Sequence, residues 1–469
     1  MRLLHTASRT HARFDDADLI GCAGLVPVAR LAERAGLSGL LEEHLRPVDP
    51  LGVNAAVKVA CLVAGMVAGA DSIEDMGMLR HGATGELFTG VRAPSTLGSF
   101  LRSLNWGNVR QLDRVNRLFL AALARRAPLL PGADTLAFLD VDSCQRRVFG
   151  PAKQGAAFGH TKIAGKSLLV RGLNALVATL STPQAAPVIV GTRLRGGNAG
   201  SSRGAASFVA EAITAARQAG ATGTLIVRAD SAYYSGTFVA ACRRAGAHFS
   251  VTTSVDEKIH RAIAEIGEDA WTPIRYPRAV FDETTGVWIS DAQIAEVDYT
   301  AFAAGRHRAH GRLLVRRVRD QNSNSQQELF PTWRYHTVFT DSPFHLTQAE
   351  AQHRDHAQIE QVLADLAAGP LAHLPSGVFT ANAAWLTLAA TTHNLLRAAG
   401  TLTSTFHARA RGATLRAHLV NIPARIARHG RGHITLHLPT DWHAEHPWHG
   451  LFTATGHQPP RRAAPARAG

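Results

Sequence analysis

At 469 residues the chain is too long for one small core, and two to four structural units are expected. Apolar residues make up 46% of it and charged residues 18%, which excludes an intrinsically disordered chain. The net charge of +14 is carried almost wholly by arginine, since Lys58, Lys153, Lys162, Lys166 and Lys258 are the only lysines, and it points to a partner rich in phosphate.

The N-terminus, MRLLHTASRTHARFDDAD, lacks the apolar core of a signal peptide. The most apolar stretch, Val57 to Ala70, contains Lys58 and falls short of the roughly 20 residues a membrane helix needs. The four cysteines are scattered, with no CxxC pair, and read as reduced thiols. A soluble, cytoplasmic, nucleoid-associated bacterial protein is expected.

Residues 1–130 read as a helical DNA-binding region. Leu25–Leu45 predicts two short amphipathic helices meeting near Gly36, followed by helices at 53–68, 95–102 and up to about 126. The interval from Ala32 to Gly36 fits a helix–turn–helix and equally fits two ordinary packed helices. Arg102, Arg110, Arg114 and Arg117 are candidate phosphate contacts.

From Thr135 the texture turns α/β. Thr135–Asp142 is an apolar run ending in acids, 168–179 and 188–192 are further strands, and a helix is expected at 202–219. Thr224–Asp230 is another strand ending in an acid, with a helix at 237–245 and a strand at 248–253 after it. Three strands before the first helix predict an antiparallel meander joined to parallel strands. Residues 131–254 are the first part of this core and 255–330 a β-rich insertion. Residues 331–400 are the second part, with a strand at 333–339, a long helix at 347–366 and another at 381–399. A C-terminal region, 401–469, ends in a proline-rich basic tail from His457.

Asp142 and Asp230 sit at the carboxyl ends of apolar strands, the edge where α/β sheets bind ligands. Small polar residues follow both and let the chain turn away. Glu360 borders the apolar stripe Ile359, Val362, Leu363 and Leu366 of its helix. Carboxylates gathered in one cleft repel unless cations join them, and hard oxygen donors suit Mg²⁺ or Mn²⁺. Each acid alone reads as a surface carboxylate. Their joint order carries the argument. Asp140 is the alternative first acid, two residues earlier on the same strand face.

Other signals are weaker. Gly159–Ser167 nearly spells a phosphate-binding P-loop, but it has one residue too many and precedes a strand. It reads better as a basic hairpin in which Lys153, Lys162, Lys166 and Arg171 face DNA, or as a solvated loop. The histidines from His443 to His449 lack zinc-ligand spacing and read as a surface loop. Tyr233, Trp271 and Trp333 are either base-stacking or core residues.

Asp142-Ser-Cys, Arg228-Ala-Asp-Ser-Ala-Tyr233 and His353-Arg-Asp-His-Ala-Gln-Ile-Glu360 resemble the three acidic motifs of DDE insertion-sequence transposases. The resemblance is closest to the insertion sequence thirteen-eighty family, a relative of the hairpin-forming cut-and-paste group. Arg146–Gly155, Arg195–Ser201 and Asn421–Ile426 are similar to that group too, so the likeness runs over nearly the whole chain.

The resemblance implies an RNase H-like mixed sheet interrupted by a β-rich insertion. It also implies that Asp142, Asp230 and Glu360 are catalytic metal ligands, for probably two Mg²⁺ or Mn²⁺ ions. The partners implied are double-stranded DNA, as terminal inverted repeats and target, and a second copy of the chain in a synaptic homodimer. Arg228, Tyr233, His353, Arg354 and His356, with the hairpin cations, are the candidate DNA contacts. His353, His356 and Ala367 stand where the related group shows tyrosine, arginine and lysine, and Arg354 or Arg397 is a candidate to supply the missing cation. Two other readings fit the same acids: a metal-dependent nuclease on the same core, and a DNA-binding protein that has lost catalysis.

Overall fold

The computed structural model describes residues 4–47, 52–163, 166–277, 279–319 and 333–457. Helices α1 (Leu25–Arg34) and α2 (Leu37–His44) meet at Gly36, whose φ of 80° is a left-handed turn that glycine adopts at little cost. Leu25, Val28 and Leu31 of α1 and Leu37 and Leu41 of α2 point inward. The outward face of α2 carries Glu42 and Glu43, acids where a base-reading helix would meet phosphate. Next come α3 (Ala55–Ala68), α4 (Pro94–Ser103) and α5 (Trp106–Ala124), the last begun by a reciprocal cap between Asn105 and Asn108.

The main sheet begins with β1 (Leu136–Arg147), β2 (Ala157–Ile163), β3 (Lys166–Thr182) and β4 (Ala185–Gly196). All are antiparallel: β1 lies on one edge of β3, while β2 and then β4 lie along the other. Helix α6 (Ala205–Gln218) leads to β5 (Thr224–Ala229), which runs parallel to β1. Helix α7 (Gly236–Arg244) leads to β6 (His248–Thr253), parallel to β5. The meander joined to parallel strands is thus present in the paired backbone.

The insertion holds α8 (Glu257–Ala264), β7 (Ala292–Ala301) and β8 (Ala309–Arg319), and β9 (Trp333–Thr340) follows it. These strands lengthen the main sheet, because β9 pairs antiparallel with β6 and carries β8 and β7 beyond it. Ile259, Ile263, Trp271, Leu313 and Val315 form a small core of their own. Trp271 is 8% exposed, and the Arg317 guanidinium lies 4.1 Å from its ring and 4.5 Å from that of Trp333. Both indoles are engaged by that cation, so the core reading holds for Trp271.

Helices α9 (Leu346–Arg354), α10 (Gln358–Ala367) and α11 (Phe379–Thr401) complete the fold. The single helix expected at 347–366 is two helices joined by a 3₁₀ turn at Asp355–Ala357. Helix α11 is buried along almost its whole length, against α3 and α5 on one side and β4 on the other. One apolar core therefore runs from Ile20 to Leu451, and the N-terminal helices share it rather than standing apart. Asn394 of α11 accepts from Ile189 N and donates to Ile189 O, both at 2.8 Å, where β4 bulges against β3.

Residues 424–428 pair with 19–20 and 434–437, tying the two ends of the chain together. Glu445–Ala454 is a helix, which corrects the loop reading of the histidine-rich stretch: Trp448 and Leu451, three residues apart, bury one side of it. The tail beyond His457 lies outside the described residues. No helix among the described residues is long and apolar enough to cross a membrane.

Candidate active site

The register of β1 against β5 brings the acids together. Residues pair in parallel from Leu136↔Thr224 to Val141↔Ala229, so the next residues of the two strands are Asp142 and Asp230. Adjacent strands lie about 4.8 Å apart, and two-residue alternation puts these acids on the same face as Asp140 and Arg228, one pleat earlier. Strand β5 ends at this point. The Asp230 side chain accepts from Ala232 N at 3.1 Å and caps the short turn Ser231–Tyr233. Strand β1 does not turn away after Asp142, as its small neighbours suggested. Its other neighbour, β3, keeps pairing with it as far as Arg147↔Gly172, so the backbone has partners beyond the acid.

Asp140 is fully buried and belongs to a different device. Arg228 Nε and Nη2 each donate to one of its oxygens at 2.7 Å, and His356 Nδ1 lies 2.9 Å from Oδ1. Arg228 is itself fully buried, donates through Nη1 to the carbonyl of Gln352, and stacks 4.3 Å from the Phe138 ring. One guanidinium thus ties β1, β5 and the α9 end together. His356 and Glu360 are four residues apart, one helical turn, so the His356–Asp140 contact swings Glu360 toward the strand-end acids. The 3₁₀ turn between α9 and α10 keeps right-handed φ/ψ and tightens the chain at the histidine.

The electrostatics agree with this placement. Burial pushes the Asp140 carboxyl up, but Arg228 and His356 outweigh it and hold it below the usual carboxylate range. Burial pulls His356 down, but its hydrogen bond to Asp140 and that residue's charge hold it above the usual value. Asp142, partly buried, is pushed up to about 6, first by burial and then by the charges of Asp230 and Glu360. The Ser143 N–H, 2.6 Å from Asp142 Oδ1, and His356 act the other way. Asp230 and Glu360 themselves are exposed.

Three carboxylates from two strands and a helix therefore share one field. Among the described residues no three His, Cys, Asp or Glu side chains are gathered into a ligand set. The donors fit a divalent cation: they are hard oxygens, and burial and the neighbouring carboxylates penalise the charge on Asp142.

That penalty makes a testable statement. A carboxyl whose folded pKa is about 6 binds protons more tightly than it does unfolded, so its contribution favours folding at low pH and is lost as pH rises from about 4 to 6. In metal-free buffer Asp142→Asn should raise stability at pH 7.5 by up to roughly 3 kcal/mol and change little at pH 4. Equal melting shifts at both pH values would contradict the crowding of Asp142.

Several candidate DNA contacts are not on the surface. His353 is buried, its ring nitrogens 2.9 Å from Ser250 Oγ and from Thr252 Oγ1 on β6, and burial drives its pKa down to about 3. It is a neutral anchor for α9, not a cation for phosphate. Arg228 is spent on Asp140. Tyr233 is fully buried with its ring 5.8 Å from that of Phe238. In each case another segment covers the side chain: α9 lies over Arg228, β6 against His353, and the Phe238 ring against Tyr233.

Arg354 pairs with Glu350 at 2.9 Å, and Arg397 donates to the carbonyl of Ala408. Lys153 Nζ reaches the carbonyls of Leu374 and Ser376, and Arg171 those of Gly150 and Pro151, so both pin the loop after β1. The side chains of Lys162 and Lys166 lie outside the described residues. Arg110 pairs with Asp113 and Glu211, and Arg117 with Asp113, joining α5 to α6.

Sequence reading overlooked the bridging role of Asp140, Arg228 and His356. The signal was present in the two-residue spacing that puts Asp140 and Arg228 on the face of Asp142 and Asp230. A family model described as transposase DDE domain group 1 matches residues 4–457. No curated protein matches the chain.

Proposed function

The chain belongs to the transposase DDE domain group 1 family, and on that basis we propose that it cleaves phosphodiesters at the ends of an insertion sequence and transfers the freed 3′-hydroxyl ends to target DNA. Asp142, Asp230 and Glu360 are its catalytic acids, and thirteen-eighty is the insertion-sequence family it fits. The observation that carries this reading is the β1–β5 register, which sets Asp142 beside Asp230 while His356 draws the Glu360 helix over them. The sheet reads as an RNase H-like core, supported by its meander–helix–parallel-strand order with further strands added between the second and third acids.

Two Mg²⁺ or Mn²⁺ ions, held by the three acids, would supply the activated nucleophile and steady the leaving oxygen. The chain's own residues do the rest. Asp142 and Asp230 fix the strand-end side of the cleft, and the Asp140–Arg228–His356 bridge holds the helix that bears Glu360. Hydrolysis and strand transfer are both in-line displacements at phosphorus, so one set of acids serves both. Synapsis of two ends calls for a homodimer.

The test is a labelled duplex carrying the terminal repeat, incubated with the protein in Mg²⁺ or in chelator. Cutting at the repeat end that requires Mg²⁺ and yields joined products is expected. Cutting without any joining would indicate a nuclease. Tight binding with no cutting in Mg²⁺ or Mn²⁺ would sink the catalytic reading and leave a DNA-binding protein, in keeping with Ala367.

A further inference from the structure

On the Lys166 side of Gly172 the strand β3 leaves β1 and β4, and β2 is the strand that pairs with it. The base of this two-stranded ribbon is clamped by glycines. A Cβ on Gly159 would fall 2.2 Å from Gly197 O, and one on Gly197 would fall 2.1 Å from Gly172 O, so three backbones touch where any side chain would part them. A rigid base directs the ribbon away from the body.

On one face, among its described residues, the ribbon shows two large apolar side chains to solvent, beside His160 and Arg171. Phe158 is opposite Arg171 and His160 opposite Leu169 in the register, so all four share one face. Phe158 is 59% exposed and Leu169 58%, an unusual display on one narrow element. Along this stretch of the sequence the formal charge is of one sign. From Ser143 to Ala210 the sequence contains no Asp or Glu, against nine Lys and Arg. A second copy of this chain would have to bring the same positive stretch against it, whereas DNA would neutralise it.

Phosphates have no use for a phenyl ring, but bases do. A two-stranded ribbon fits the major groove, and exposed Phe or Leu side chains can wedge between base steps. Along β3, Val177 pairs with Asp142 while Arg171 pairs with Phe158, a separation of six residues or about 20 Å. That is less than one turn of duplex, about 34 Å.

Resting on the transposase reading for the location of the cut, we propose that the face of this ribbon bearing Phe158 and Leu169 meets the duplex within one helical turn of the scissile phosphate. Phe158, backed by Leu169, stacks on a base there and holds the flank open for the acids.

The experiment uses the full chain and a terminal-repeat duplex with 2-aminopurine at successive flanking positions. The unmutated protein should raise the fluorescence at one or two positions near the cut. Phe158→Ala combined with Leu169→Ser should bind but lose that rise, and cut the intact duplex about tenfold more slowly, the scale of one lost base stack. A duplex with a mismatched flank should restore its cutting to within about twofold of the unmutated protein, since the opening is then already made. Phe158→Trp should retain both signals.

Equal loss on matched and mismatched duplexes, or an unchanged fluorescence rise, would overturn the proposal. So would an altered self-association with the fluorescence rise intact, which would assign the face to a second copy. A chain that opens the flank but never cuts would defeat the transposase reading and leave the hairpin assignment standing.

Discussion

Asp230→Asn should bind terminal-repeat DNA within about twofold of the unmutated protein yet cut it at least about a thousandfold more slowly, a barrier increase on the order of 4 kcal/mol. The substitution is nearly isosteric. Its amide oxygen can still accept from Ala232 N, so the turn after β5 keeps its cap. What it removes is one of the two negative charges whose field raises Asp142. The fold should therefore melt at the same temperature or higher, and a fall in melting temperature would point to a structural role. Single-turnover cutting rates with saturating protein separate chemistry from binding. Cutting within tenfold of the unmutated rate would remove Asp230 from the catalytic set.

Arg228→Met should cost about 3–5 kcal/mol of stability, read as a shift in denaturation midpoint at unchanged slope. The residue and its partner Asp140 are both fully buried, and the variant leaves a buried carboxylate with His356 as its remaining cation. Methionine fills much of the space and can still lie against Phe138, so the loss measures charge and hydrogen bonds rather than a cavity.

The companion variant decides what the bridge is for. Arg228→Met with Asp140→Leu removes both charges and should recover most of the stability, because apolar pairs of similar volume often replace buried ion pairs at little cost. It should not recover cutting. The tether from Arg228 to the Gln352 carbonyl and from Asp140 to His356 is gone, and Glu360 loses its aim. Stability regained together with full cutting would show that the bridge only balances charge. A loss below about 1 kcal/mol for the single variant would contradict the buried pair itself.

The helices and strands were legible because each carries its own period. The stripe Ile359, Val362, Leu363 and Leu366 marks α10, and the apolar runs before Asp142 and Asp230 mark β1 and β5. The helix at 347–366 was read as continuous because apolar spacing does not register a tightened turn, and only the demand of His356 on Asp140 explains the 3₁₀ step. The sequence reading took Asp140 as a rival acid and Arg228 as a DNA contact. Each is a plausible reading of a charged residue beside a motif, and burial alone tells otherwise.

By itself the sequence determined the order of the three candidate acids, the alternation that shapes each strand, and the positive surplus that suits a phosphate-rich partner. These are local or additive properties, readable one segment at a time. Only the tertiary structure decided which charges are free and which are spent. It paired Asp140 with a residue 88 positions away and turned His353 into a buried neutral anchor. It also merged the N-terminal helices with the sheet through α11 and left Phe158 in solvent. Burial and partnership depend on what other segments bring to the same place, and a linear chain does not carry that information at any one position.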